Sequence, residues 1–137
     1  MKRVLFWIAS LTWGLPLTFI GVLFTVCLLI AGYRPETYHG LVYFEIGYGW
    51  GGFNAGAFFF ISKDASVNTK KHEAGHGLQN ILFGFFMPFV VTIPSVIRYH
   101  YRNYLVRSGK KAYAELPPYD SVWFEGWATR LGDKYFK

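Results

Sequence analysis

The amino-acid sequence predicts an α+β membrane protein, and three observations support this prediction. Of the 137 residues, 53% are hydrophobic and 21% aromatic, but only 16% are charged, which is unusually apolar for a soluble domain of this size. Residues 4–31 contain no charged side chain. Two β-favouring stretches follow, at residues 41–46 and 57–62, and helical patterns come after them.

Residues 1–34 are predicted to form an N-terminal transmembrane helix. About 20 helical residues cross the hydrocarbon core of a bilayer, so the uncharged run is long enough. Gly14 and Pro16 are expected to kink this helix. A cleaved signal peptide is the competing interpretation, but its apolar part would be only about 7–15 residues long. We therefore expect an uncleaved helix, followed by a compact membrane-associated domain over residues 35–137.

The two β-favouring stretches are separated by five glycines and Asn54. This pattern predicts a small β-hairpin or ribbon with a long, bent turn. The glycine-rich turn does not fit a phosphate-binding loop, because no Gly-Lys-Ser/Thr follows it.

Residues 70–80 contain the pattern His-Glu-x-x-His, formed by His72, Glu73 and His76. Positions i and i+4 lie on one face of a helix, so both imidazoles can bind the same metal ion. The intervening Glu73 can then reach a water on that ion. The plainer alternative is a surface helix that happens to carry two histidines. We expect the helix to begin near Lys70.

The last helix is predicted over residues 122–135 and contains Glu125. A catalytic zinc commonly takes two histidines, one carboxylate and a water, and Glu125 fits the missing carboxylate. An ordinary carboxylate in the first turn of a helix is the plainer reading. Asp120 and Asp133 are alternative ligands. Asp133 lies two turns beyond Glu125, where it could instead orient a ligand histidine.

An apolar segment over residues 81–97 separates the two parts of this site. It is near the lower limit for a membrane span, and Pro88 and Pro94 predict a broken or re-entrant helical segment. If the segment crossed the bilayer completely, His76 and Glu125 would lie on opposite sides and could not share a metal. The basic, tyrosine-rich residues 98–111 are expected at the membrane surface.

His72-Glu73-x-x-His76 followed by Glu125 resembles the gluzincins, a family of zinc metalloproteases. The longer strings His-Glu-x-Gly-His-x-x-Gln and Glu-x-Trp-Ala-x-x-Leu-Gly are also similar to small uncharacterised bacterial membrane proteins. The resemblance implies a zincin-like motif helix with His72, His76 and Glu125 as ligands and Glu73 as general base. It also implies that residues 57–62 hold an extended peptide by edge pairing. No His or Tyr is evident as an oxyanion donor, and the apolar segment looks more like the site-two proteases, whose third ligand is an aspartate.

We therefore expect a zinc metalloprotease (a hydrolase of peptide bonds) in the bacterial inner, or cytoplasmic, membrane, with Zn²⁺ as cofactor. Its expected partners are the lipid bilayer and a peptide or protein substrate. The formal charge of +6 suits anionic lipids better than nucleic acid. A homo-oligomer or a partner subunit is left open. The alternative is a non-enzymatic accessory or structural membrane protein with a structural or vestigial metal site, although a closed structural site needs four ligands.

Overall fold

A four-stranded mixed sheet and five α-helices form the part of the protein that the computed structural model describes, residues 2–137. The predicted α+β class is therefore confirmed. The helices are α1 (Arg3–Leu11), α2 (Leu15–Ile30), α3 (Val67–Phe83), α4 (Ile93–Arg107) and α5 (Trp123–Tyr135). The strands are β1 (Glu36–Tyr38), β2 (Leu41–Glu45), β3 (Gly52–Ala55) and β4 (Phe58–Ile61).

The N-terminal apolar segment is two helices, α1 and α2, rather than the single helix predicted. The chain breaks where Gly14 and Pro16 occur, and Pro16 lies in the first turn of α2, where its missing N–H costs no hydrogen bond. Asn80 on α3 donates to the Gly14 carbonyl over 3.1 Å. A Cβ at Gly14 would lie 2.5 Å from the Asn80 amide nitrogen, so glycine is needed for this close approach.

No single helix within residues 2–137 combines the length and the hydropathy that crossing a bilayer requires. Two pairs of helical segments meet both requirements only when each pair is counted as one. These pairs are Arg3–Leu11 with Leu15–Ile30 and Val67–Phe86 with Pro88–Arg107, which bend by 97° and 116° respectively.

The second bend confirms that the apolar segment before α4 is broken. The break begins at Gly84, which has a φ of 57° and therefore ends α3. A short 3₁₀ turn and a π turn, Pro88–Thr92, then lead into α4. The indole of Trp13 covers Gly84 and donates to the Leu82 carbonyl over 3.3 Å, so the two breaks lie against each other. Because the chain turns back here, His76 and Glu125 meet.

The predicted β-hairpin is wrong, although both of its stretches form strands. The sheet order is β1-β2-β4-β3, and β2 pairs with β4 in parallel, with Val42 opposite Phe58. The chain between them contains a further strand, β3, which pairs with β4 in antiparallel. A two-residue turn at Gly56, whose φ is 73°, joins β3 to β4. The glycine-rich loop before β3 therefore carries the chain past the end of β4.

Strand β4 is buried along its whole length. Its aromatic side chains pack with Phe44 of β2, Phe6 of α1 and Phe136, and burying each such side chain contributes about 1.5–3 kcal/mol. Helix α3 contacts β3 and β4 and also packs along α5. The sheet thereby supports the helix that carries the histidines.

Candidate metal centre

His72, His76 and Glu125 converge on one point, as the sequence predicted. The Nε2 atom of His72 lies 2.9 Å from Oε2 of Glu125, and Nε2 of His76 lies 3.3 Å from the same oxygen. One ligand atom from each of the three residues lies within 4.8 Å of the others. This group is able to hold a metal ion.

Two glycines bring α5 close enough for Glu125 to reach the histidines. A Cβ at Gly75 on α3 would lie 2.0 Å from the Ala128 carbonyl oxygen, and one at Gly132 on α5 would lie 2.2 Å from the Lys71 carbonyl oxygen. Real Cβ atoms do not approach other atoms so closely. The backbones of α3 and α5 are therefore in direct contact, and this contact sets the distance between the ligands.

The Nδ1 atoms of both histidines are held by hydrogen bonds. His72 Nδ1 lies 2.9 Å from the hydroxyl of Thr129, which itself donates to the Glu125 carbonyl. His76 Nδ1 lies 2.7 Å from Oε1 of Gln79, whose amide nitrogen donates to the Phe124 carbonyl. Each Nδ1 therefore donates a hydrogen bond, and each Nε2 faces Glu125. A proton or a metal ion between these nitrogens and the carboxylate oxygen would account for the distances.

Glu125 is fully buried, with 0% of its surface exposed. Burial alone would raise its pKa, but hydrogen bonds with His72, His76 and Ser95 outweigh burial and hold the pKa well below the usual range. The Ser95 hydroxyl donates to the second carboxylate oxygen, Oε1. Glu125 is consequently a charged ligand with one oxygen, Oε2, facing the histidines.

Glu73 lies next to the ligands without belonging to the ligand group. Its burial, aided by the charge of Glu125 and opposed by that of His72, raises its pKa to about 7. A carboxyl group with this pKa can both accept and release a proton near neutral pH. A Cβ at Gly52 of β3 would lie 2.8 Å from Oε1 of Glu73, so glycine leaves room for this carboxylate.

Two cavities meet at Glu73, and both are lined by Gly52, Glu73, Tyr99 and Tyr119. The polar chamber, of about 550 Å³, also includes Lys71, His72, Arg102, Asp120, Thr129 and Asp133 in its lining. The apolar chamber, of about 490 Å³, also includes Phe24, Trp50, Phe53, Met87, Val91 and Val96. Together they form a cleft that passes the metal-ligand group.

Strand β3, rather than residues 57–62, is the sheet edge beside the site. The predicted edge strand, β4, lies between β2 and β3. The Ser62 N–H donates to the Gly51 carbonyl. In an antiparallel pair, residues alternate between pointing their N–H and C=O groups towards the partner strand and away from it, so these groups of Gly52 and Asn54 point away from β4. Both residues line the apolar chamber. The sheet edge next to the motif helix is therefore formed by β3, one strand earlier in the sequence than predicted.

Tyr119 is a residue of this site that the sequence did not reveal. Its ring centroid lies 6.2 Å from that of His72. Burial, with the charge of Glu125 adding to it, raises the pKa of Tyr119 to about 12. Its hydroxyl therefore stays protonated and can donate a hydrogen bond at neutral pH. Arg98 lies over the ring at 4.9 Å and fixes its position.

The sequence suggested that Asp133 could orient a ligand histidine, but in the structure it does not. It lies 3.9 Å from the Lys71 ammonium group and is largely exposed; the orienting groups are Thr129 and Gln79. Asp120 lines the polar chamber and is not in the ligand group. Gln79 is the last residue of the string His-Glu-x-Gly-His-x-x-Gln, whereas no spacing rule connects Ser95 or Tyr119 with the histidines.

Comparison of the chain with family models, curated proteins and solved structures finds no match.

Proposed function

We propose that the protein is a membrane-bound zinc metallopeptidase. One observation carries this proposal: three ligand atoms converge beside a buried carboxylate whose pKa is about 7, at the meeting point of two chambers. His72, His76 and Glu125 would hold the ion, and Glu73 would act as general base. The resemblance of His72-Glu73-x-x-His76 followed by Glu125 to the gluzincins supports the same proposal.

The donor set fits zinc. Two imidazole nitrogens and one carboxylate oxygen are a common catalytic set for this ion. Three atoms each about 2.0–2.1 Å from a tetrahedral zinc lie about 3.3 Å apart, and the nitrogen–oxygen distances here are 2.9 and 3.3 Å. A structural zinc site normally has four protein ligands, whereas the group within residues 2–137 has three. This difference supports catalysis.

The residues around the site have clear roles in peptide hydrolysis. Zinc in such a site lowers the pKa of a bound water to roughly 7 and polarises a carbonyl group. Glu73 would take the proton from the attacking water and pass it to the leaving amine. Tyr119 would donate a hydrogen bond to the carbonyl oxygen as negative charge develops on it. The outward N–H and C=O groups of Gly52 and Asn54 would hold an extended peptide by edge pairing.

An extensive exposed apolar surface supports the membrane-bound part of the proposal. The surface includes Leu5, Ile8, Trp13, Phe19, Leu23, Phe24, Leu82, Phe85, Phe86, Phe89, Val96 and Ile97. Patches of this extent are rare on soluble monomers. The exposed cations Arg107, Lys110 and Lys111 lie close by in sequence and would bind anionic headgroups. We propose that a phospholipid bilayer covers this surface, in keeping with the resemblance to small bacterial membrane proteins.

The test combines metal analysis with hydrolysis by the full chain in detergent or vesicles. Parent protein should contain about one zinc per chain and cleave peptides. Glu73→Gln should keep the zinc and lose cleavage, because Glu73 is not a ligand, whereas His76→Ala and Glu125→Ala should lose the zinc. Parent protein that binds no zinc, or Glu73→Gln that cleaves like the parent, would refute the proposal. Zinc without any hydrolysis would instead indicate a structural site.

A further inference from the structure

The apolar chamber opens onto the exposed apolar surface. Phe24 of α2 and Val96 of α4 both line the chamber, and 50% of the Phe24 surface and 37% of the Val96 surface are exposed. Glu73 and Tyr119 lie at the end of the chamber that it shares with the polar chamber. One continuous apolar path therefore leads from the proposed bilayer-facing surface to the general base.

The two chambers differ in chemistry on either side of that base. Lys71 and Arg102 contribute cations to the polar chamber, and Asp120 and Asp133 contribute carboxylates. The apolar chamber has a volume of about 490 Å³, within the usual range of about 300–1,000 Å³ for ligand pockets. Val106, Tyr113 and Leu116 add apolar surface to the polar chamber, so a molecule that fills both chambers meets apolar side chains in each and most of the charged side chains in the polar one.

The edge strand favours a peptide over a lipid chain as that molecule. Gly52 and Asn54, whose N–H and C=O groups point away from β4, are among the residues that line the apolar chamber. An acyl chain would cover these groups without bonding to them, at a cost of about 1–3 kcal/mol for each group in proteins. A peptide backbone bonds to them as a further strand would.

We propose that the substrate is an extended peptide segment that adjoins a membrane-embedded stretch and enters from the bilayer side. A bulky apolar side chain occupies the apolar chamber, and polar residues occupy the polar chamber. This inference rests on the proposed peptidase function and adds the class of substrate and its route of entry.

Binding to the full-length, zinc-loaded Glu73→Gln variant in detergent micelles tests the inference without hydrolysis. Two fluorescent peptides would be compared, identical except that Leu-Phe in one is Ser-Asn in the other. The Leu-Phe peptide should bind about 10- to 100-fold more tightly, the factor that corresponds to burying one large apolar side chain. Adding Val96→Lys should remove this preference, because it places a charge in the apolar chamber.

Val106→Lys provides a matched control. Val106 is also a valine of α4, is 38% exposed and lines the polar chamber, so its substitution should leave the preference for Leu-Phe in place. Equal binding of the two peptides, or equal effects of the two lysines, would overturn the inference. The inference would also be overturned if a short-chain phosphatidylcholine displaced both peptides and the protein showed no preference for the Leu-Phe peptide, since that result would assign the chamber to lipid.

The same peptides separate this inference from the proposed function. If the Glu73→Gln variant retains the preference but the parent protein cleaves neither peptide, the peptidase proposal fails and the assignment of the chamber stands. If the parent cleaves both peptides equally well, the peptidase proposal stands and the assignment of the chamber fails.

Discussion

Replacing Gly75 with alanine should weaken metal binding although all three ligands remain. The new Cβ would lie 2.0 Å from the Ala128 carbonyl oxygen, about 1.4 Å short of ordinary contact at 3.4 Å. Helices α3 and α5 must move apart by roughly this distance, and Glu125 moves with α5. Since metal–ligand distances tolerate only about 0.2 Å, we expect zinc affinity to fall by about 100-fold or more.

The same substitution should leave the protein folded. Overpacking lowers the free energy of unfolding by about 1–3 kcal/mol, and the higher helix propensity of alanine relative to glycine raises it by up to about 1 kcal/mol. The net loss of up to about 3 kcal/mol is smaller than the roughly 5–15 kcal/mol that stabilises a typical domain. Circular dichroism should therefore give a native spectrum with a modestly lower Tm.

Competition with a chromophoric zinc chelator measures the affinity. Gly51→Ala is the control, because a Cβ at Gly51 meets nothing within 4 Å and Gly51 has no positive φ. It should bind zinc like the parent. Gly75→Ala with parental affinity and a native spectrum would show that the contact between α3 and α5 does not set the ligand spacing.

Three further predictions concern the surroundings of the site. Gln79→Leu should lower zinc affinity by about 10- to 100-fold, because His76 loses the acceptor that orients it; chelator competition measures this. Tyr119→Phe should lower kcat by about 100-fold or more with little change in zinc affinity, because its hydroxyl is proposed to act on the developing oxyanion; steady-state kinetics with zinc analysis measure both. Phe86→Glu should weaken binding to anionic vesicles by about 10-fold or more, because a side chain that is 61% exposed would leave the bilayer; vesicle sedimentation measures it.

Each of these predictions has a contrary result. Unchanged zinc affinity in Gln79→Leu would mean that the His76 orientation does not depend on this hydrogen bond. Loss of zinc in Tyr119→Phe would indicate a structural role for the hydroxyl. For Phe86→Glu the control is Tyr48→Glu, since Tyr48 is 72% exposed and lies outside the exposed apolar surface. Equal losses in these two variants would refute membrane binding through Phe86.

The metal-ligand group was predictable because a helix converts sequence spacing directly into geometry. His72 and His76 are four residues apart, and Glu125 was found by asking which carboxylate completes a catalytic zinc site. Tyr119 and Ser95 could not be found in this way, because tertiary packing alone brings them to the site. The positions of β2 and β4 followed from composition, but β1 and β3 were not predicted. They are only three and four residues long, and β3 contains a glycine and an asparagine, so the pairing of the strands could not be predicted either.

The hydrogen bonds from Asn80 to the first break have a mechanical consequence. Asn80 lies one turn beyond His76 on α3 and bonds to Gly14 and, over 3.4 Å, to Thr18. The N-terminal helices are therefore hydrogen-bonded directly to the helix that carries both histidines. In the proposed membrane-bound state, a force exerted by the bilayer on α1 and α2 would act directly on the helix that carries the histidines. Cutting the chain after Ile30 would remove the support of that helix instead of releasing an intact domain.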